Sequence, residues 1–399
     1  EVKKWVKEGL IDWIRFTRDV RPYLQKSSVF VLPSYYREGL PRSIQEAMAI
    51  GRPIITCDSV GCRETVEENK NGFLVPIRDS ETLAKKMEIF LEQRKLINQM
   101  GLESRKIAEK RFDVHKINQI FLNKMLIVQK TSRKKLFIIS NQSFSLINFR
   151  LSLMSLLKNN NYDVYAIAPD FKLNDYLILN NNNIKCISYK LNRSSVNPIT
   201  NIYNFLNLYL LIKKNNPDII FSYSIKPVIY ASIISYFVKT PKCFSLIEGL
   251  GYIFTYHRSL GLIYYRVLLK FIVIQMYKLS LPFNKKVFFL NTSDINEFQS
   301  RRLVSVEQTE LIDGIGLDLK YFSYQPATPK DKIVFLFLGR LLREKGLYEF
   351  IEAAIRIREV TSKASFLVVG DIDTNPGSIN EREVKKWVKE GLIDWIRFT

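Results

Sequence analysis

The chain begins and ends on the same seventeen letters. Residues 1–17, EVKKWVKEGLIDWIRFT, recur unchanged as residues 383–399. Solenoid repeats are degenerate and evenly spaced, and this pair is neither. One identical pair at the two ends is what a sequence seventeen residues shorter gives when it is read as a circle and cut inside one element. The chain therefore reads as a circular permutant, or as the product of assembling circular or tandem DNA, and its natural order starts in the middle. Each copy has a helix-then-strand pattern, and a parallel sheet offers only one slot for it. The N-terminal copy is the expected occupant, because Phe16 runs directly into the elements after it. The C-terminal copy hangs from the loop Asp371–Asn380 and can move away.

Read from the middle, the pattern becomes regular. After Arg133-Lys134-Lys135, the run Leu136–Ser140 is an apolar strand, and strand and helix then alternate. Further strands fall at Val164–Ala168, Ile184–Tyr189, Ile219–Ser222, Cys243–Ile247 and Val287–Leu290. A second alternating unit starts at Ile333–Phe337, passes through a helix Leu347–Arg358 and a strand Ser365–Val369, and runs off the C-terminus. It resumes at residue 1 and continues with Val29–Leu32, a helix Pro41–Ala49 and Pro53–Thr56. Such alternation predicts an α/β fold of two doubly wound, Rossmann-like domains with parallel sheets. The expected bounds are 134–325 for one domain, and 331–399 plus 1–129 for the other, which the cut splits.

Composition narrows the class. Apolar residues make up 47% and charged residues 25%, which suits a packed core and excludes a disordered chain. Four cysteines without a CxxC pair, and two distant histidines, argue against a disulfide scaffold or a zinc site and fit a reducing cytoplasm. The first residues lack the apolar run of a secretory signal, and no segment reads as a membrane span. Sixty Lys+Arg against 39 Asp+Glu leave a charge of +21, which points to an anionic partner or to a Lys-rich composition alone.

Two stretches carry chemistry. In Leu32–Ala49 a strand ends, a loop holds Glu38 and Gly39, and a helix begins with Pro41 near its first position and Glu46 about one and a half turns inside. The first N–H groups of such a helix lack internal partners and favour an anion, while two carboxylates eight positions apart reach different parts of an extended ligand. In Phe337–Gly346 a strand runs into Gly339, Arg340 and Lys345. Gly339 would allow a sharp turn, and the two cations stand where open α/β sheets bind ligands. Taken singly, each stretch is as well read as a capped helix or a solvated basic loop.

Together they resemble the retaining glycosyltransferases of family 4, which have the GT-B fold. That family pairs a G-R-L-x-x-x-K-G loop, here Gly339–Gly346, with an E-x7-E motif, here Glu38 and Glu46. Asn71–Val75 resembles the later N-G-x-L-V turn and strand. Ile312–Phe322 resembles N-G-V-D-x-x-x-F, with Asp313 in place of the asparagine and an offset at Gly316. The resemblance implies that Arg340 and Lys345 hold the diphosphate of a UDP-linked sugar and neutralise charge on the leaving group. It implies that Glu46 takes the ribose hydroxyls, that Glu38 faces the sugar, and that Gly339, Gly39, Leu40 and Pro41 line the donor. It implies no cofactor and no metal, the nucleotide sugar being a substrate.

The other domain would take the acceptor. Ser245–Tyr252, with Glu248, Gly249 and Gly251, resembles the E-G-L-G loop of bacterial transferases that extend polyprenyl-diphosphate-linked sugars, among them N-acetylgalactosaminyltransferases. Arg150 and Arg193 fit the same group, so Glu248, Gly249, Arg150 and Arg193 are the expected acceptor residues. A loop-capping carboxylate is the plain alternative for Glu248. Between Arg258 and Lys286, apolar residues alternate with Arg266, Lys270, Lys278, Lys285 and Lys286, a pattern for an amphipathic helix at an anionic membrane or on its own sheet. The expectation is a retaining hexosyltransferase, moving a sugar such as an N-acetylhexosamine to a lipid-linked glycan. It would be cytoplasmic, peripheral at the inner face of the cytoplasmic membrane, and would bind no nucleic acid. A UDP-sugar 2-epimerase of the same fold, or an inactive permuted form, are the alternatives.

Overall fold

A computed structural model of the chain describes residues 19–125, 133–193, 195–239, 242–255, 263–328, 331–371, 381–390 and 392–396. The chain divides into two compact units. Unit one comprises Glu1–Asp113 with Leu317–Thr399, and unit two is Val114–Gly316.

The first stretch of unit one holds α1 (Arg21–Lys26), β1 (Val29–Leu32), α2 (Arg42–Ile50), β2 (Ile54–Cys57), β3 (Gly72–Val75), α3 (Ser80–Glu92) and α4 (Lys95–Arg111). Unit two follows with α5 (Val114–Met125), β4 (Lys134–Ile139), α6 (Ser143–Asn159), β5 (Tyr162–Ala168), α7 (Leu173–Asn181) and β6 (Lys185–Ser188). Then come α8 (Pro198–Asn215), β7 (Ile219–Tyr223), α9 (Ile225–Phe237), β8 (Lys242–Ile247) and the single turn α10 (Gly251–Phe254). It closes with α11 (Ile263–Ser280), β9 (Lys286–Phe289), α12 (Thr292–Ser300) and β10 (Thr309–Leu311). Back in unit one are β11 (Ile333–Leu338), α13 (Leu347–Val360), β12 (Ala364–Val369), α14 (Glu381–Lys389) and β13 (Asp394–Ile396).

Both sheets are parallel, in the orders β13-β12-β11-β1-β2-β3 and β10-β9-β8-β7-β4-β5-β6. The expected doubly wound α/β fold is therefore present twice. Strands such as Val29-Phe30-Val31-Leu32 are apolar and buried at every position, as strands covered on both faces must be. In unit two the chain steps outward one way through β4, β5 and β6, and the other way through β7 to β10. The break lies between β4 and β7. In unit one the matching break lies between β11 and β1. Open α/β sheets bind ligands outside the carboxyl ends of strands at such breaks.

Two expectations need correction. Helix α5 was placed at the end of 1–129, but it packs into unit two. Its Phe121 ring stands 5.5 Å from Phe221 and 5.0 Å from Phe288, and Asn118 donates to Ser152 Oγ at 3.0 Å. The unit boundaries are therefore Asp113/Val114 and Gly316/Leu317 rather than residues 129 and 325. Gly316 has φ +81°, and a Cβ there would lie 2.6 Å from the Val114 Cα, so a glycine is needed in that close approach.

The slot beside β12 is held by the C-terminal copy, not the N-terminal one. Leu367, Val368 and Val369 pair with Asp394, Trp395 and Ile396. The helix of this copy is anchored as well: Val384 and Val388 are buried, Tyr348 donates to Glu383 at 2.7 Å, and Trp387 meets the Tyr348 ring edge-on at 5.4 Å. What holds this copy is that packing: three paired strand residues beside β12 and the buried Val384 and Val388 beneath its helix. Residues 1–17 lie outside the described residues.

Candidate functional site

In unit one the loops after β1 and β11 are tied together. The Tyr35 and Tyr36 N–H groups both donate to the Glu344 carbonyl at 2.9 Å. Gly346 has φ +81°, and a Cβ there would stand 2.1 Å from the Pro33 carbonyl oxygen, so only glycine lets these loops close on each other. Gly339, by contrast, does not use its freedom. It is absent from the positive-φ residues, its N–H donates to Val369 at 3.0 Å, and a Cβ would find ordinary contacts. The expected sharp turn at Gly339 is thus replaced by one at Gly346.

This closure brings two predicted residues into contact. Lys345 Nζ forms an ion pair with Glu38 Oε1, although the two lie 307 positions apart. Both side chains are mostly buried, 10% and 14% exposed, so the attraction is only weakly screened. Ser34, buried beneath them, has its hydroxyl 3.4 Å from Glu38 Oε1 and 3.4 Å from the Glu344 carbonyl. Arg340 is exposed, with its guanidinium 5.6 Å from the Tyr36 ring centre, and Lys345 Nζ lies 5.5 Å from the same ring. Burial pushes the Tyr36 phenol up, while Arg340 acts in the opposite direction. Two cations, one carboxylate and a phenol thus gather at the break in the sheet.

Helix α2 begins beside them. Pro41 is its N-cap rather than its first helical residue and contributes no side-chain hydrogen bond. Gly39 and Leu40 lead into it, the Leu40 carbonyl accepting from Gln45 Nε2 at 3.2 Å. Gln45 Oε1 is buried and has no hydrogen-bond partner among the described residues. Glu46 accepts from Arg42 Nε at 2.8 Å, one turn earlier. Burial pushes the Glu46 carboxyl up, and Arg42 offsets part of that. Ser34, Tyr36 and Gln45 escaped sequence reasoning. So did Gly61, whose φ of +86° and near contact with the Gly39 carbonyl (2.5 Å from a Cβ) support the loop from below.

In unit two the predicted residues divide. Arg150 is 1% exposed and forms an ion pair with Glu248, whose side chain is 28% exposed. The guanidinium also lies 4.7 Å from the Tyr223 ring centre. Arg150, expected among the acceptor residues, lies beneath the surface paired with Glu248, and Glu248 is the partner that reaches solvent. Burial pushes the Glu248 carboxyl up while Arg150 pulls it down. Tyr223 hydroxyl lies 3.0 Å from Ser145 Oγ, which lies 2.7 Å from Ser140 Oγ, and burial raises the Tyr223 phenol to about 12. Gly249 has φ +107°, so the turn after Glu248 requires a glycine. Arg193 stands apart on an exposed loop, donating to Gln142 Oε1 at 2.7 Å. Lys226, not foreseen, holds that loop by donating to the Asn192 and Ser195 carbonyls at 2.8 and 2.6 Å.

The basic flanks expected of the helix before Lys286 are also rearranged. Arg266 is buried, its guanidinium 3.4 Å from the Tyr252 ring centre, and Lys270 Nζ lies 4.7 Å from that of Phe254. Arg266 turns inward onto the Tyr252 ring, while Lys270 stays half-buried, with its Nζ 3.8 Å from Glu297 Oε1. Among the described residues, no helix is long and apolar enough to cross a membrane. His257 lies outside the described residues.

The comparisons with known proteins bear on both units. The family Glycosyl transferases group 1 matches residues 4–107, and the family Glycosyl transferase 4-like matches residues 134–291. Each match makes its segment similar to a glycosyltransferase domain, one in each unit. Glu38 and Glu46 fall inside the first match, Arg150, Arg193 and Glu248 inside the second, and Arg340 and Lys345 outside both. With two parallel-sheet units, these domains give the GT-B fold class. The chain is 29% identical over 250 residues to the N,N'-diacetylbacillosaminyl-diphospho-undecaprenol alpha-1,3-N-acetylgalactosaminyltransferase of Campylobacter jejuni, covering 60% of this chain and 64% of that one. It thus spans just under two thirds of that relative's length. An uncharacterized glycosyltransferase of Haemophilus influenzae is 37% identical over 103 residues, 26% of this chain and 29% of the relative. Among solved structures, sucrose-phosphate synthase from Thermosynechococcus elongatus superposes with a TM-score of 0.48 at 15% identity, over 67% of this chain and 71% of that one.

Proposed function

We propose that the chain is a retaining hexosyltransferase that moves a sugar from a UDP-linked donor to a lipid-linked glycan. One observation carries the reading: the loops after β1 and β11 close on each other at the sheet break, gathering Arg340, Lys345 and Glu38 at one point. The anionic donor diphosphate would draw Lys345 from Glu38, meet Arg340, and leave Glu38 facing the sugar. Two fixed cations stabilise charge that grows as the diphosphate departs, a contribution that needs no rearrangement during the step. Glu46 would take the ribose hydroxyls from α2, with the Leu40 and Pro41 backbone and Gln45 Oε1 lining the sugar.

The acceptor reading rests on Glu248, the one member of its ion pair that reaches solvent, and on the Campylobacter relative, whose name specifies an undecaprenol diphosphate acceptor. Arg193 would add a cation for that diphosphate. The domains fall at 134–325 and at 331–399 with 1–129 in outline, shifted by the boundary residues given above. A lipid-linked acceptor supports a place at the inner face of the cytoplasmic membrane.

The natural order would start near Lys134. Counting either half of unit one first gives the strand order 3-2-1-4-5-6, so a cut between the halves leaves the sheet unchanged. The test is incubation with labelled nucleotide sugars, with and without membrane extract. Label in the lipid fraction supports the transferase, whereas an epimerised sugar from donor alone would overturn it.

A further inference from the structure

Two helices of unit two are apolar on both faces. Helix α8 buries Leu208 and Ile212 in the core, and on its outer side it exposes Ile199, Ile202, Leu206 and Leu210. Those four recur at intervals of three and four, so they form one stripe. Helix α11 buries Val273 and Tyr277 and exposes Tyr264, Val267, Leu268 and Phe271, the last four at the same spacing. A surface helix needs only one apolar stripe for its own core, so the second stripe is meant for something else. Helix α9 packs against both. The crossovers that hold α8, α9 and α11 all step in one direction across the sheet, and right-handed crossovers then put the three helices on one side. At the end of α9, Tyr236 stacks on Phe283 at 4.6 Å, and both are exposed.

Charge selects the occupant. Residues 190–286 contain thirteen Lys and Arg but only two acidic residues, Asp218 and Glu248. Lys213 and Lys214 are exposed at the end of α8. Two copies of this chain stacked on the face by a two-fold axis would set like charges against each other. Nucleic acid would match the charge but not the apolar stripes.

We infer that the α8–α9–α11 layer of unit two lies on an anionic lipid bilayer. The stripes of α8 and α11 enter the interface, Tyr236 and Phe283 sit at headgroup level, and the lysines meet anionic headgroups. The inference rests on the proposed lipid-linked acceptor and names the surface that brings the enzyme to it.

Sedimentation of the full chain with vesicles tests it. The wild type should bind phosphatidylcholine vesicles that contain phosphatidylglycerol and not those of phosphatidylcholine alone. The triple variant Ile202→Ser, Leu206→Ser, Phe271→Ser should lose binding roughly tenfold or more, since it removes large apolar side chains from the interface. All three positions are exposed, so its circular dichroism and thermal midpoint should match the wild type. Lys213→Glu with Lys214→Glu should weaken binding without touching the stripes. No binding to anionic vesicles, or equal binding by the triple variant, overturns the inference. A wild-type dimer in the ultracentrifuge that the triple variant abolishes would assign the face to a second copy instead. Arg340→Ala should bind vesicles like the wild type, so a failed transferase reading leaves this measurement untouched.

Discussion

In unit one the paired charges Lys345 and Glu38 are buried to similar degrees, 10% and 14% exposed, and both stand on loops. In unit two Arg150 is sealed at 1% exposure within helix α6, and only Glu248, at 28%, approaches solvent. Both pairs sit beside the break in their sheet, yet they are built to different ends. Loops can yield to an incoming anion that competes for the lysine. A guanidinium locked between a carboxylate and the Tyr223 ring has no such exchange, so it can only hold Glu248 in place. On the proposed reading, the first pair is a site whose lysine a ligand would take over, and the second is a platform that would present one carboxylate.

The largest expected effect separates the two roles. Arg340→Ala should lower turnover by about 10²–10³, the scale seen when a preorganised charge-stabilising group is lost. Its thermal midpoint should stay unchanged, because Arg340 is exposed. Lys345→Ala should cost as much in turnover but also lose stability, since the Glu38 carboxylate is left buried beside Ser34. Near-normal turnover in both variants would remove the donor site from unit one.

In unit two the order reverses, with stability leading. Glu248→Gln should destabilise the chain by about 3 kcal/mol, because it leaves the Arg150 charge buried and uncompensated. Arg150→Met should cost less, since water can still reach the Glu248 carboxylate. Urea unfolding of the two variants measures this. A larger loss for Arg150→Met would mean that Glu248, not Arg150, is the sealed partner.

These differences show how far the sequence could be read. Runs such as Ile333–Phe337 and Val29–Leu32 announced parallel strands, since a fully apolar run of that length between turn residues has few other uses. The Glu38 and Lys345 loops were legible as chemistry, but not as a pair. Nothing local encodes a contact across 307 positions that depends on a glycine, Gly346, meeting Pro33. The pairing and burial of Arg150 were not legible, because a motif resemblance says nothing of burial. Helix α5 was assigned to the wrong unit for a similar reason: periodicity shows that Phe121 faces a core, not which core. The repeated ends misled because identical letters compete on equal terms locally, and only contacts distant in sequence, such as those with β12 and Tyr348, single out one of them.

A smaller effect sharpens the division inside unit one. Glu46→Ala should raise the donor KM about tenfold, roughly 1.4 kcal/mol, with kcat nearly unchanged, since it is proposed to hold a part that does not react. Glu38→Ala should act mainly on kcat. Steady-state kinetics at varied donor concentration tell these apart. Equal and purely binding effects would contradict separate roles for the two carboxylates.

The smallest expected effect is a pH dependence at Glu46. Its carboxyl is pushed up by burial, with Arg42 offsetting only part of the shift. A carboxyl raised in the folded state contributes stability that is fully present below its unfolded value and lost as pH rises through the folded one. Glu46→Gln cannot titrate and resembles the protonated form. The thermal midpoint of the variant should therefore rise relative to the wild type as pH increases from about 4 to 7, across the ordinary carboxylate range. Asp79 gives the opposite sign as a control. Its carboxyl is lowered, chiefly by the Thr82 hydroxyl, so its stabilising contribution is present above the unfolded value and lost on acidification. Asp79→Asn should accordingly fall behind the wild type over the same rise in pH. If the Glu46→Gln difference instead followed the Asp79→Asn direction, the Arg42 ion pair would outweigh burial. Glu46 would then be a helix-stabilising partner of Arg42, not a carboxylate held in strain for a ligand.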